Sequence, residues 1–248
     1  MLKAKTSNVS EWKAVLSAIK DITDEAMFIY SKEGITFRGL DPAHVALMEV
    51  TFPRSSFDEL ESNASFFGLK IDEFKSLLET ANNDDVITFE VNKPSTMEIT
   101  IEGTLRMNYV LKLIERSEVN TPLPKIEAKS SIGISPQTLA RIVTNLEKIS
   151  EHVTITSLND KVEFSGSGDI STAKIGLEKE NPDLPLLQVL EESSAMYSLE
   201  YMAKIIRSVG KASKNVNIEY GTKTPMHMLF EMPSLTKVEY YLAPRIEN

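Results

Sequence analysis

AMFIYSKEGITFRG, residues 26–39, and HVTITSLNDKVEFSG, residues 152–166, carry one pattern in two spellings. Each is a run of β-branched and aromatic residues, a short polar turn and a second such run, which predicts a β-hairpin. Ile35 of the first answers to Val162 of the second. Further along, VITFEV from Val86 resembles VNIEYG from Val216, and MEITIEG from Met97 resembles MHMLFEM from Met226, at nearly the same offset. A drift of a few residues is what short loop insertions leave behind, so the chain is an internal repeat.

Helical stretches repeat as well. Trp12, Val15, Leu16 and Ile19 follow the three-four spacing of an amphipathic helix, and Leu139, Ile142, Val143 and Leu146 do the same in the second half. Ser135-Pro136 supplies a cap and a first-turn proline for the latter. Phe74, Leu77 and Leu78 answer to Met202, Ile205 and Ile206, with Asp72 as the expected cap of the earlier helix. Each half thus reads as strand, helix, three strands, helix, three strands. The fold class is α+β, with two similar domains, each of antiparallel sheet and two helices. Between them lies ERSEVNTPLPKIEAKSS, Glu115 to Ser131, where Pro122 and Pro124 deny backbone donors and predict an extended connector. The expected division is a domain over 1–117, a connector over 118–131 and a domain over 132–248.

With 42% hydrophobic and 25% charged residues in 248, the chain can bury a sizeable core. No run of about 18 apolar residues exists, and MLKAKTSNVS lacks the apolar segment of a signal peptide, so an intracellular protein with no membrane partner is expected. The absence of cysteine excludes disulfides, thiolate metal sites and cysteine nucleophiles. A net charge of −9 argues against coating nucleic acid by overall field, but leaves room for a local basic patch.

Such a patch is written into the helices. A residue seven positions on lies two turns along the same helix face. Lys13 and Lys20, Arg141 and Lys148, and Lys204 and Lys211 have that spacing, with Arg207 between the last pair. All sit away from the apolar stripe. One such pair is ordinary solvated surface; its recurrence on three equivalent helices points to a shared face toward a polyanion. No base-reading module or glycine-rich phosphate loop accompanies it, so contact with nucleic acid would be to phosphates and independent of sequence.

Catalysis finds no support. His44, His152 and His227 are far apart, without a metal-ligand spacing, and read as strand or turn residues. Acidic pairs such as Asp84-Asp85 and Glu191-Glu192 read as solvated loops. SGSGD near Gly166 is a turn, since its counterpart in the repeat, RGLD, has no serine. No catalytic residue, metal or cofactor is expected.

GLDPAHVALMEVTF, residues 39–52, and EYYLAPRIEN, residues 239–248, resemble signature stretches of the sliding-clamp family of proliferating cell nuclear antigen, in the archaeal style. The resemblance covers the whole chain. It implies the clamp fold in a six-domain trimeric ring, of identical or related subunits, whose helices surround duplex DNA. The ring would serve as a processivity factor located with the chromosome, in archaeal cytoplasm or a eukaryotic nucleus. Its implied partners are DNA polymerase, flap endonuclease, DNA ligase and the clamp loader.

On that resemblance the hole is lined by Lys13, Lys20, Arg141, Lys148, Lys204, Arg207 and Lys211, with Lys75 a weaker member. Glu79 and Thr144 depart from positions that are often basic in relatives. The ring-closing edges are RMNYVLKL from Arg106 and STAKIGLEK from Ser171. Strand alternation puts Tyr240 and Leu242 toward the core and Tyr241 and Ala243 outward, with Pro244 ending the ladder. It also puts His44 on one face with Ala46, and Val45 with Leu47 on the other, which is apolar at its beginning. The resemblance places a partner-peptide pocket at Leu40, His44, Val45, Leu47, Leu123, Pro124, Ile126, Pro225, Tyr241, Ala243 and Pro244. Two rivals stay open: a clamp-fold scaffold that never encircles DNA, and an enzyme using dispersed carboxylates.

Overall fold

The computed structural model of the chain describes residues 1–115 and 122–246. It divides into two compact units. One comprises Met1–Pro42, Met48–Thr121 and Met232–Val238, the other Ala43–Leu47, Pro122–Glu231 and Glu239–Asn248.

The first half of the chain runs β1 (Leu2–Thr6), α1 (Val9–Lys20), β2 (Glu25–Ser31), β3 (Gly34–Leu40), β4 (Ala46–Pro53), β5 (Glu59–Ser62), β6 (Ser65–Lys70), α2 (Ile71–Glu79), β7 (Val86–Lys93), β8 (Thr96–Glu102) and β9 (Arg106–Lys112). The second runs β10 (Ser130–Ile134), α3 (Pro136–Leu146), β11 (His152–Ser157), β12 (Lys161–Ser167), β13 (Thr172–Glu178), β14 (Leu186–Val189), β15 (Ser193–Ser198), α4 (Leu199–Val209), β16 (Asn215–Tyr220), β17 (Met226–Glu231) and β18 (Lys237–Leu242). Five strands, not the expected three, separate the helices of each half. Of those unforeseen, β5 and β14 have four residues each and β15 is rich in serine, while β6, SFFGLK, buries three consecutive residues, so none shows a clean apolar alternation.

The repeat is exact in topology. Strand order β5-β1-β7-β8-β9 in one half is matched by β14-β10-β16-β17-β18 in the other, and β4-β3-β2-β6 by β13-β12-β11-β15. The sequence-matched hairpins are β2–β3, with Phe28 opposite Phe37, and β11–β12, with Ile155 opposite Phe164. Within each unit the two helices pack on one another, α1 on α2 and α3 on α4.

The cores differ in material. Trp12 of α1 lies flat on Phe52 with ring centroids 4.0 Å apart, and Phe57, Phe74 and Phe89 surround it. The second unit instead buries Leu139, Ile142, Leu146, Met202, Ile205 and Ile206 of its helices and Ile132, Ile155 and Ile218 of its strands. Burial of each such side chain contributes roughly 1.5–3 kcal/mol. In α1 the carboxylate of Glu11 is buried in the first turn, where the helix dipole favours it, and accepts from the backbone N–H and hydroxyl of Ser234.

Helix starts differ from expectation at one place. Ser135 caps α3 as expected, its hydroxyl accepting from Thr138 N–H at 3.2 Å, with Pro136 in the first turn. Asp72 does not cap α2. The helix begins at Ile71, after an extended Lys70, and Asp72 lies inside its first turn. Residues 122–128 have no regular secondary structure, and β10 starts at Ser130, so the last two residues read as connector are in a strand. Residues 116–121, among them the first four of the expected connector, lie outside the described residues.

Candidate functional site

The helix faces come first. Lys13 of α1 donates to the carbonyl of Ala81 at 2.5 Å. Lys20, in the last turn, reaches both Asp24 and Asp72, and these carboxylates hold its ammonium above the usual lysine range. Lys75 of α2 pairs with Glu79 one turn on, at 3.1 Å. In the second unit Lys204 pairs with Glu200 at 2.7 Å, and Arg207 with Glu147. Arg141, Lys148 and Lys211 are exposed and form no salt bridge among the described residues. Two of them lie outside the α-helices: Lys148 in the turn after α3, and Lys211 in the short 3-10 helix Gly210–Ala212 that follows α4. The seven-residue spacing overran both helix ends, so Lys148 and Lys211 lie just beyond α3 and α4.

Edges come next. β9 and β13 end their sheets and share one exposure pattern, alternating exposed and half-buried before a single buried leucine, Leu111 or Leu177. Val110 of β9 is 70% exposed. Beside β13, Ile175 and Leu177 with Ile142 and Arg141 of α3 line a groove of about 390 Å³.

The expected pocket residues fall mostly in the second unit. Its segment Ala43–Leu47 enters β4 through His44, whose backbone is left-handed (φ 58°) and whose side chain is exposed. The strand starts only at Ala46, so alternation does not govern His44 or Val45. Val45 accepts from Ala243 N–H at 2.9 Å through its carbonyl, and the two residues share a cleft of about 630 Å³ with Pro244 and Arg245. Ser198, Leu199 and Tyr201, at the junction of β15 and α4, line the same cleft, as do Glu147, Glu151 and Glu200. None of these was foreseen, because nothing in the sequence ties that junction to the chain end 45 residues on. Pro244 does end β18, yet pairing resumes at once, with Arg245 N–H donating to the Met196 carbonyl at 2.7 Å.

Tyr240 and Leu242 enter the core as expected, but Tyr241 is also buried, only 9% exposed. The ring of His227 covers it, with centroids 4.7 Å apart and planes 20° from parallel. Tyr241 O–H donates to Glu239 Oε2 at 2.9 Å. His227 Nε2 meets the same oxygen at 3.2 Å, and its Nδ1 meets Glu219 at 3.3 Å. Burial opposes charge on this ring, but the bonds to Glu239 and Glu219 outweigh it and raise its pKa above the ordinary imidazole value. Sequence reasoning missed these contacts of His227 because its partners sit on neighbouring strands. Leu47 is also buried, while Pro225, Leu123, Pro124 and Ile126 are half-buried. The connector end lies along β16, with Lys129 N–H donating to the Tyr220 carbonyl. Leu40 belongs to the first unit, at the end of β3.

Comparison with known proteins matches residues 1–118 to the N-terminal domain and residues 122–245 to the C-terminal domain of proliferating cell nuclear antigen. The chain is 38% identical over 246 residues to a DNA polymerase sliding clamp of Cenarchaeum symbiosum, covering 99% of this chain and 98% of that protein. A DNA polymerase sliding clamp of Nitrosopumilus maritimus is 34% identical with the same coverage. Among solved structures, proliferating cell nuclear antigen from Thermococcus kodakaraensis superposes with a TM-score of 0.94 at 21% identity, covering 99% of this chain and all of that one. A chain of the PCNA2–PCNA3 complex of Sulfolobus tokodaii does so with a TM-score of 0.91 at 22% identity and the same coverage. These two show the shared fold; with both family domains matched across the length, the chain belongs to the proliferating cell nuclear antigen family.

Proposed function

We propose that the chain performs the sliding-clamp function of its family as one subunit of a three-membered ring around duplex DNA, made of identical or related subunits. The observation that carries this reading is the pair of sheet-ending strands, β9 and β13, with matching exposure patterns. An unpaired edge is a liability that a neighbour removes, and unlike edges meeting head to tail close into a ring when the rotation allows. The groove beside β13, with Ile142, Ile175 and Leu177 among its otherwise polar lining, would receive side chains of a second copy's β9.

Around DNA such a ring needs no tight grip. Topology retains it, and cations facing phosphates let it slide without reading sequence. Arg141, Lys148 and Lys211 are best placed for that contact, with Lys13, Lys20, Lys75, Lys204 and Arg207 behind them. The role is non-catalytic, without metal or cofactor. DNA polymerase, flap endonuclease, DNA ligase and the clamp loader would dock hydrophobic side chains at the cleft of Val45, Ala243 and Pro244, together with Tyr241, Pro225 and the connector residues Leu123, Pro124 and Ile126. His44 and Leu47 complete the proposed pocket. The organism's chromosome is then its place of work.

One observation favours the scaffold alternative: four of the eight helix-face cations are paired with carboxylates of the same chain. Native mass separates a ring from a free scaffold subunit. Sedimentation at micromolar concentration is expected to give three times 27.7 kDa, alone or with companion subunits. A strictly monomeric mass under both conditions contradicts the ring.

A further inference from the structure

We infer that His227 is a positioning residue of the partner pocket: as an imidazolium clasped between Glu219 and Glu239 it fixes the Tyr241 ring, and capture of a hydrophobic peptide weakens when it loses its proton. The inference rests on the pocket reading proposed above, and adds to it a residue and a dependence on pH.

The chemistry follows from donor counting. A neutral imidazole has one N–H and one lone pair, whereas an imidazolium donates from both nitrogens. In β17, His227 faces a carboxylate from each flanking strand, Glu219 of β16 at 3.3 Å from Nδ1 and Glu239 of β18 at 3.2 Å from Nε2. A neutral ring would aim its lone pair at one of these anions, so the arrangement demands the charged form. Charge also suits the stacking, because a cation against the face of an aromatic ring is attracted by the ring's quadrupole.

Tyr241 is therefore held twice, by the His227 ring on its face and by Glu239 Oε2 at its hydroxyl, and that oxygen serves His227 as well. Ala243 and Pro244, which line the cleft, follow two and three residues later. Loss of the proton frees one carboxylate and leaves the imidazole able to turn, so the ring that seats Tyr241 loses its register. Other charged groups on the flanking elements are Glu231 of β17, Lys237 of β18, and Lys125, Glu127 and Lys129 of the connector. The two carboxylates are the ones that act on the ring nitrogens.

The sign is fixed by the direction of the shift. Since the folded pKa lies above the ordinary 6.5, the clasp is complete below that value and is lost as pH rises through the folded one. By linkage, a bound peptide that needs the clasp raises the His227 pKa further.

The test uses the full chain and a labelled, end-capped synthetic peptide of uncharged residues with three large apolar side chains, titrated by fluorescence anisotropy from about pH 5.5 to pH 9, with NMR of the His227 ring in the same samples. Wild-type affinity is expected to fall roughly three- to tenfold along the ring's own titration curve. His227→Gln should bind weakly with a flat profile. His227→Arg, which keeps a planar cation with donors for both carboxylates, should bind tightly with a flat profile. A flat wild-type profile, a step that persists in His227→Gln, or a ring titrating at or below its ordinary value overturns the inference while leaving the pocket standing. Absence of binding by wild type and His227→Arg at every pH overturns the pocket reading and this inference with it. The NMR titration and His227→Arg decide the matter even if His227→Gln fails to fold.

Discussion

The two units repeat one topology strand for strand, yet their helix faces differ in charge. In the first, Lys20 sits between Asp24 and Asp72, Lys75 is held by Glu79, and Lys13 turns to a backbone carbonyl. In the second, Arg141, Lys148 and Lys211 stand in solvent without a salt-bridge partner among the described residues, while Lys204 and Arg207 are paired. Repetition of a fold thus carries over the positions of basic residues but not their availability. A cation already beside a carboxylate contributes little field toward a phosphate, so on the proposed reading DNA contact falls chiefly to the second unit. Surface pairs of this kind are individually weak, which makes the difference one that mutation can shift.

The cores offer the largest break of the comparison. Trp12→Ala removes the centre of the aromatic cluster and should cost about 3–5 kcal/mol, seen as lost amide-exchange protection confined to the first unit's strands. Matching loss in the second unit would mean that the two cores do not act independently. The charge difference comes next. Arg141→Ala, Lys148→Ala and Lys211→Ala together should flatten the log–log salt dependence of DNA binding by up to about 3, against less than about 1 for Lys13, Lys20 and Lys75 changed likewise. Equal slopes from the two sets would refute the asymmetry.

Smaller effects sharpen the same contrast. Asp24→Asn with Asp72→Asn releases Lys20 and removes two negative charges, and is expected to tighten DNA binding roughly two- to threefold at low salt, fading at high salt. Ser135→Ala should cost about 1 kcal/mol through its lost cap, measured by chemical denaturation. Lys70→Ala at the equivalent start of α2 should cost much less, since no side-chain cap exists there.

Much of this was legible in the sequence because it depends on local periodicity. The hairpins around Ile35 and Val162, the stripe Trp12–Ile19 and the Ser135 cap each show themselves within a dozen residues. The rest depends on partners distant along the chain. Lys20 meets Asp72 52 positions away, and Tyr241 is covered by His227 from the adjacent strand. Alternation puts Tyr241 on the face opposite Tyr240 and Leu242, but it could not show that His227 covers that face and leaves Tyr241 buried. Short polar strands such as β5, ELES, carry no apolar stripe and are fixed by pairing with β1. The cleft joining Val45, Glu147, Ser198 and Ala243 is assembled from four separate stretches, and only the first and last had a signature.

The central claim is that the chain closes around DNA. Retention after loading should therefore be compared on a closed circular duplex and on the same duplex cut once. A topologically linked ring remains on the circle at moderate salt and escapes from the free ends of the linear form; equal retention on both would contradict the account.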